Sequence, residues 1–225
     1  MNGDFVDRDE DRTVRALRRR ANASGSAAAA SRVTDEAAAA AARLADRAAA
    51  EELLDVAYAT IDSPFGPLLA ASTRRGLVRL AFPEEHEQDV IERLASRISP
   101  RVLRAPARLD PVARQLDEYF AGRRHAFETE LDWSLIGPFG QRVLAATAAI
   151  PYGSVLSYAQ VAGEAGSPRG SRAAGNALGS NPIPIVIPCH RVLRTGGALG
   201  GYGGGLPRKR WLLELEGALQ PELGS

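Results

Sequence analysis

"SYAQVAGEAGSPRGSRAAGNALGSN", residues 157–181, decides how the C-terminal half of this chain is read. Ser157 stands before a short apolar run as a candidate N-cap, and Gly163 and Gly166 stand where that helix should stop. "SPRG" reads as a turn, and "SRAAGNALGSN" as a second short helix of small residues, ended by Asn181 and Pro182. Two short helices around a tight turn outline a helix-turn-helix. Many all-helical cores also place two short helices around a glycine, so the flanking segments must supply the distinction.

Upstream, "PFGQRVLAATAAI" carries Phe139, Val143 and Leu144 on one stripe and ends at Pro151, which predicts one more helix. Downstream, "IPIVI" at 183–187 reads as a short buried strand that delivers Cys189 and His190 at its end. "GGALGGYGGGLP" follows, a glycine loop around Tyr202 that suits close approach of backbone to a ligand, or simple surface slack. "PRKRWLLELEG" predicts the last helix, with Pro207 in its first turn, Gly217 at its end, and Trp211, Leu212 and Leu215 facing inward.

Before Trp133 the pattern differs. "VAYATID", "PLLAAST" and "LVRLAF", broken by "SPFG" and "RRG", predict a small antiparallel meander. Two helices follow, one with Val90, Ile91, Leu94 and Ile98 at helical spacing and one running from Pro111 to Gly122. His86 and His125 lie in this region without a second His or Cys at metal spacing and read as surface or loop residues. The organisation expected is a 1–55 extension, partly disordered with one Ala-rich helix, a 56–132 α+β domain, a 133–217 mainly helical domain and a 218–225 tail.

The totals narrow the function. The chain has 225 residues, 45% of them hydrophobic, enough for real cores, and a single cysteine, which excludes an internal disulfide. The opening "MNGDFVDRDEDRTVRALRRR" is too charged for a signal peptide, and no apolar run reaches the length of a membrane span, so a cytoplasmic protein is expected. The net charge of +1 conceals segregation: residues 133–217 hold eight basic side chains against three acidic ones. Such a segment suits a surface that meets phosphates, or a solvated charged face. Of the 28 basic residues only Lys209 is lysine, so a single arginine carries little information here.

A lone thiol is a core filler or a nucleophile, and a nucleophile needs a base. His190 is the adjacent base. Neighbours in an extended strand point to opposite faces, so a direct Cys–His pair of the cysteine-hydrolase kind is disfavoured, and a water-bridged arrangement fits better. Glu216, a carboxylate at a helix C-terminus where the dipole does not favour it, would complete a Cys, water, His, Glu relay.

"NPIPIVI" before "PCHRV", then "GGYGGGL" and "KRWLLELEG", closely resemble the O6-alkylguanine-DNA alkyltransferases, from about Phe139 to Gly217. The resemblance implies an α+β fold: a small N-terminal α/β domain of ribonuclease H-like outline, then a mainly helical DNA-binding domain with a winged-helix-like helix-turn-helix. It implies that Cys189 accepts the alkyl group irreversibly, with His190 as base through water, Glu216 orienting His190, and Asn181 bracing the turn. Arg172 would replace the flipped nucleotide, Tyr158 would press on the target phosphate and donate to the guanine ring, and the small residues Ala173, Ala174, Gly175 and Ala177 would let the helix approach the minor groove. Tyr202, the amide of Gly203 and the carbonyl of Val192 would line the base pocket, with Lys209 at a family lysine of unnamed role. The partner implied is double-stranded DNA carrying O6-alkylguanine, with O4-alkylthymine a further candidate. No metal or organic cofactor is implied, and a monomer in solution is expected, with cooperative loading on DNA left open. Some relatives hold a structural zinc with cysteine ligands, which a chain with Cys189 alone cannot do. Alkyltransferase-like proteins that bind the lesion and recruit other factors are the alternative reading, although those usually carry tryptophan at the cysteine position.

Overall fold

The computed structural model describes residues 54–220, with Ala39, Ala40, Ala41, Arg43 and Arg47 helical and exposed. The rest of the expected N-terminal extension and residues 221–225 lie outside the described residues. Contacts divide the chain into residues 1–47 and 48–225, and all elements below belong to the second unit.

Strands β1 (Val56–Ile61), β2 (Leu68–Thr73) and β3 (Gly76–Ala81) form the expected antiparallel meander. Helix α1 (Glu87–Arg97) then crosses over, and β4 (Val102–Arg104) pairs parallel to β1, giving the order β3-β2-β1-β4. A return through a helix makes that parallel pairing possible, but three residues carry too little alternation to announce a strand. Val90 and Leu94 of α1 pack on Val56, Leu69, Ala71 and Val78 to make the core of this domain. After a 3-10 turn over Pro106–Leu109, helix α2 (Asp110–Phe120) buries Val112, Leu116 and Tyr119.

The connection to the second domain crosses the edge of β3. Leu77 N–H donates to the Glu130 carbonyl at 2.8 Å, and Asp132 N–H to the Leu77 carbonyl at 2.9 Å. Gly76 makes this crossing possible: its φ is +129°, and a Cβ there would lie 2.2 Å from the Glu130 carbonyl oxygen. Buried Asp132 locks the joint, accepting from the Thr73 hydroxyl at 2.5 Å, Ser134 N–H at 2.9 Å and Arg75 Nε at 3.2 Å.

The second domain holds α3 (Pro138–Ala148), β5 (Leu156–Ser157), α4 (Tyr158–Glu164), α5 (Ser171–Gly179), β6 (Val192–Leu193) and α6 (Leu206–Leu215). Ser157 caps α4 as expected and forms a full capping box: its Oγ accepts from Gln160 N–H at 3.2 Å while Gln160 Oε1 accepts from Ser157 N–H at 2.8 Å. Ala174 and Leu178 seat α5 in the core, and β5 and β6 pair as two parallel residues each. A small sheet domain followed by a helical domain is the α+β fold class that the sequence indicates.

Three expectations fail in detail. "IPIVI" is buried throughout but is not a strand: it folds into a tight turn closed by a Pro184–Ile187 bridge. Pro182, Pro184 and Pro188 lack amide protons and cannot sustain a ladder, which apolar continuity alone does not reveal. On α6 the inward stripe is Lys209, Leu212 and Leu213 with Glu216 beyond it, while Trp211 and Leu215 are only half-buried. Ala174, read as a groove-facing small residue beside Ala173 and Gly175, is fully buried in the core instead.

Candidate active site

The turn that carries Cys189 is held from within. Asn181 Oδ1 accepts from Ile183 N–H at 3.0 Å, and Asn181 Nδ2 donates to the Ile187 carbonyl at 2.9 Å and to Cys189 Sγ at 3.2 Å. Ile185 sits at φ +75°, a left-handed conformation unfavourable for a β-branched residue, so the turn stores strain four residues before the thiol. Cys189–Arg191 then form a 3-10 turn rather than a strand end. His190 does not hydrogen-bond to the cysteine beside it.

His190 points away, into a buried network. Its Nε2 lies 2.9 Å from Glu216 Oε1, and both side chains are wholly enclosed. Arg191 grips the same carboxylate with two donors, Nε to Oε2 at 2.8 Å and Nη2 to Oε1 at 2.9 Å. Tyr119, from α2 of the sheet domain, donates its hydroxyl to Oε1 at 2.6 Å. Burial alone would raise the Glu216 carboxyl, but the donors from His190, Arg191 and Tyr119 outweigh it and hold the group at about 2. An ionised carboxylate at Nε2 assigns the proton to that nitrogen, leaving Nδ1 as the acceptor. Nδ1 is buried and makes no hydrogen bond among the described residues. Burial lowers the His190 pKa against the pull of Glu216, so the ring is held toward its neutral form.

Burial pushes the Cys189 thiol up to about 11, opposed by the Asn181 donor and the Lys209 charge. The resting thiol is therefore protonated, and its activation requires a base and a bound ligand. Lys209 is fully buried, with no carboxylate partner among the described residues. Its Nζ donates to the Val192 carbonyl at 2.5 Å and the Gly201 carbonyl at 3.2 Å, tying β6 to the glycine loop, and burial lowers its pKa to about 8.

Cys189 opens onto a pocket of about 490 Å³ that it shares with Tyr158, Arg172, Gly175, Tyr202 and Gly203. Tyr158 lies against Gly175, whose added Cβ would meet its ring at 3.7 Å, and donates its hydroxyl to the Gly201 carbonyl at 3.3 Å. Exposed Arg172 and Arg194 stand at the pocket. Tyr202 sets its ring edge-on to His190 with centroids 6.4 Å apart, and its buried hydroxyl has no protein partner. Ala173 is exposed on α5 but does not line the pocket, and neither does buried Val192, whose carbonyl accepts from Lys209. Among the described residues, no group of three or more His, Cys, Asp or Glu side chains is placed to hold a metal ion.

A thiol on a pocket floor, a histidine–carboxylate pair behind it and arginines at the mouth define the site to which known proteins can be compared. Residues 138–218 match the family model for the 6-O-methylguanine DNA methyltransferase DNA-binding domain, and residues 56–133 match that family's ribonuclease-like domain. The chain belongs to the 6-O-methylguanine DNA methyltransferase family. The methylated-DNA–protein-cysteine methyltransferase of Mycobacterium tuberculosis is 44% identical over 165 residues, covering 73% of this chain and 94% of that protein. Its counterpart in Methanosarcina barkeri is 40% identical over 159 residues, covering 71% and 96%. The crystal structure of M. tuberculosis OGT in complex with DNA superposes with a TM-score of 0.62 at 41% identity, covering 72% of this chain and 93% of that one.

Within this 6-O-methylguanine DNA methyltransferase site, two participants escape a reading of the sequence. Arg191 counts there among the surface charges of the basic segment, yet it is 6% exposed and bound to Glu216. Tyr119 lies 97 residues from Glu216 in the other domain, and nothing local to "DEYF" marks it. The only available signal for Arg191 is its position next to His190 in a chain that needs a counter-ion for Glu216.

Proposed function

We propose that this chain repairs DNA by transferring the alkyl group of O6-alkylguanine to Sγ of Cys189, once and irreversibly. The observation that carries the reading is the placement of Cys189 on the floor of a pocket edged by Tyr158 and Arg172 and backed by His190 and Glu216. The activity for which the relatives are named, methylated-DNA–protein-cysteine methyltransferase, supports it.

The alkyl group lies inside the duplex, so the base must leave the stack, at about a few kcal/mol. Arg172 fills the gap it leaves, while α5 approaches the minor groove with Ala173 and Gly175. The flipped base lies between Tyr202 and the Val192 carbonyl, with the Gly203 amide and Tyr158 as donors. The Cys189 proton passes through a bridging water to His190 Nδ1, and Glu216 stabilises the imidazolium. The thiolate attacks the alkyl carbon, a C–S bond forms as the C–O6 bond breaks, and the electron pair returns to guanine, which takes up a proton. No redox step occurs, and no metal or organic cofactor is needed. The thioether has no easy leaving group, so each chain reacts once. We place the work of the two domains at 56–132 and 133–217, with 1–55 and 218–225 outside it, in a cytoplasmic monomer. O4-alkylthymine is a further substrate to test.

Incubation with an equimolar duplex carrying O6-methylguanine, followed by nucleoside analysis, tests the proposal. The lesion should disappear mole for mole with wild-type protein and persist with Cys189→Ser. A duplex that is bound while its lesion survives with wild-type protein would assign the chain to lesion binding without transfer.

A further inference from the structure

We propose that Tyr119, carried on α2 of the sheet domain, is a positioning residue of the transfer: by donating to Glu216 it offsets the carboxylate charge and keeps His190 neutral, with Nδ1 free as the base. The inference rests on the reading of Cys189 as acceptor and His190 as its base. It gives the sheet domain a part in the chemistry that the pocket alone does not suggest.

A histidine buried against a bare carboxylate tends to exist as imidazolium, which has no lone pair to accept a proton. The groups around His190 set this balance. Glu216 and Lys209 come from α6 and its end, Cys189 and Arg191 from its own turn, and Tyr202 from the glycine loop, while Tyr119 reaches it through Glu216. Glu216 is the one group among them ionised as an anion at neutral pH, so the charge left on that carboxylate decides how strongly imidazolium is favoured. Oε1, the oxygen facing His190, also accepts from Tyr119 at 2.6 Å and Arg191 Nη2 at 2.9 Å. Arg191 neutralises formal charge, and Tyr119 withdraws electron density at the same oxygen without adding any.

Tyr119 is built for this donation. It is fully buried, and burial beside Glu216 drives its hydroxyl pKa far up, so it remains a donor at every working pH. Its ring is fixed by Phe120, Phe127 and Tyr152, with centroids 5.5, 5.3 and 6.3 Å away. Those contacts do not involve the hydroxyl, so phenylalanine preserves the packing and deletes only the hydrogen bond.

The test is the pH–rate profile of Cys189 methylation, read by mass spectrometry under single-turnover conditions, for wild type and Tyr119→Phe. Loss of the donor leaves more charge facing His190, raises its pKa and moves the acid limb to higher pH, by about half a unit to one unit. On the acid limb, below the His190 pKa, transfer should fall roughly three- to tenfold while transfer at pH 8.5 stays within about twofold. In an independent measurement, ¹⁵N resonances of His190 in an otherwise native Cys189→Ser protein should show neutral imidazole protonated at Nε2 at pH 7. Superimposable profiles, a uniform fall at all pH values, or an imidazolium at pH 7 would overturn the proposal. Absence of any methyl transfer by wild type would instead remove the reaction it rests on, and the ¹⁵N titration of Tyr119→Phe in the Cys189→Ser background would still decide the tuning.

Discussion

Asn181 joins the shape of the active turn to the chemistry of its thiol. Its carbonyl oxygen orders the start of the turn at Ile183, and its amide nitrogen reaches Ile187 and Cys189 Sγ together. Asn181→Asp retains the acceptor for Ile183 but places negative charge beside the sulfur, so the thiol pKa should climb further from about 11. The expected result is a folded protein whose Cys189 reacts with iodoacetamide about tenfold or more slowly at pH 8, since the rate follows the thiolate fraction. An unchanged rate would separate the turn from the reactivity of the thiol. Cys189, His190 and Glu216 could be singled out from the residues themselves, the base by adjacency and the carboxylate by its place at a helix end, and Asn181 through the family resemblance. Arg191 could not be placed as buried, because a chain with 27 arginines gives little notice of the few that are enclosed.

The elements divide by how local their causes are. The Ser157 cap of α4 and the turn into α5 are written within a few residues, and the sequence shows both. The "IPIVI" turn depends on Asn181 and on three prolines acting together, and apolar periodicity mistakes it for a strand. β4 exists because β1 offers it an edge, a condition absent from its own three residues. At the edge of β3, Gly76 is irreplaceable on two counts, a φ of +129° and the Glu130 carbonyl 2.2 Å from any Cβ. Gly76→Ala should therefore cost about 2–4 kcal/mol of stability through backbone strain and displacement of the crossing strand. A chemical denaturation midpoint equal to that of wild type would contradict this account of the edge.

Across the molecule, the two domains meet at the carboxylate of Glu216, which receives Tyr119 from one domain and His190 and Arg191 from the other. That junction carries a pH signature. The folded-state pKa of Glu216 is about 2, below its ordinary value of 4.5, so its stabilisation is complete above 4.5 and is lost as pH falls from there toward 2. The depressed pKa of buried His190 acts with the same sign, its share being lost as pH drops below 6.5. Glu216→Gln should lie on the order of 2–3 kcal/mol below wild type near pH 7, with the gap closing toward pH 3 as the native carboxyl protonates. A gap that stays constant across this range, measured by urea denaturation, would mean that the carboxylate is not stabilised by its donors.

Peptide mass spectrometry after incubation with excess O6-methylguanine duplex bears most directly on the role of Cys189. One methyl group per chain, located on the peptide that contains Cys189 and not exceeded at longer times, is the expected result. A protein that remains unmodified there while holding the duplex, or that removes more than one lesion per chain, would contradict it.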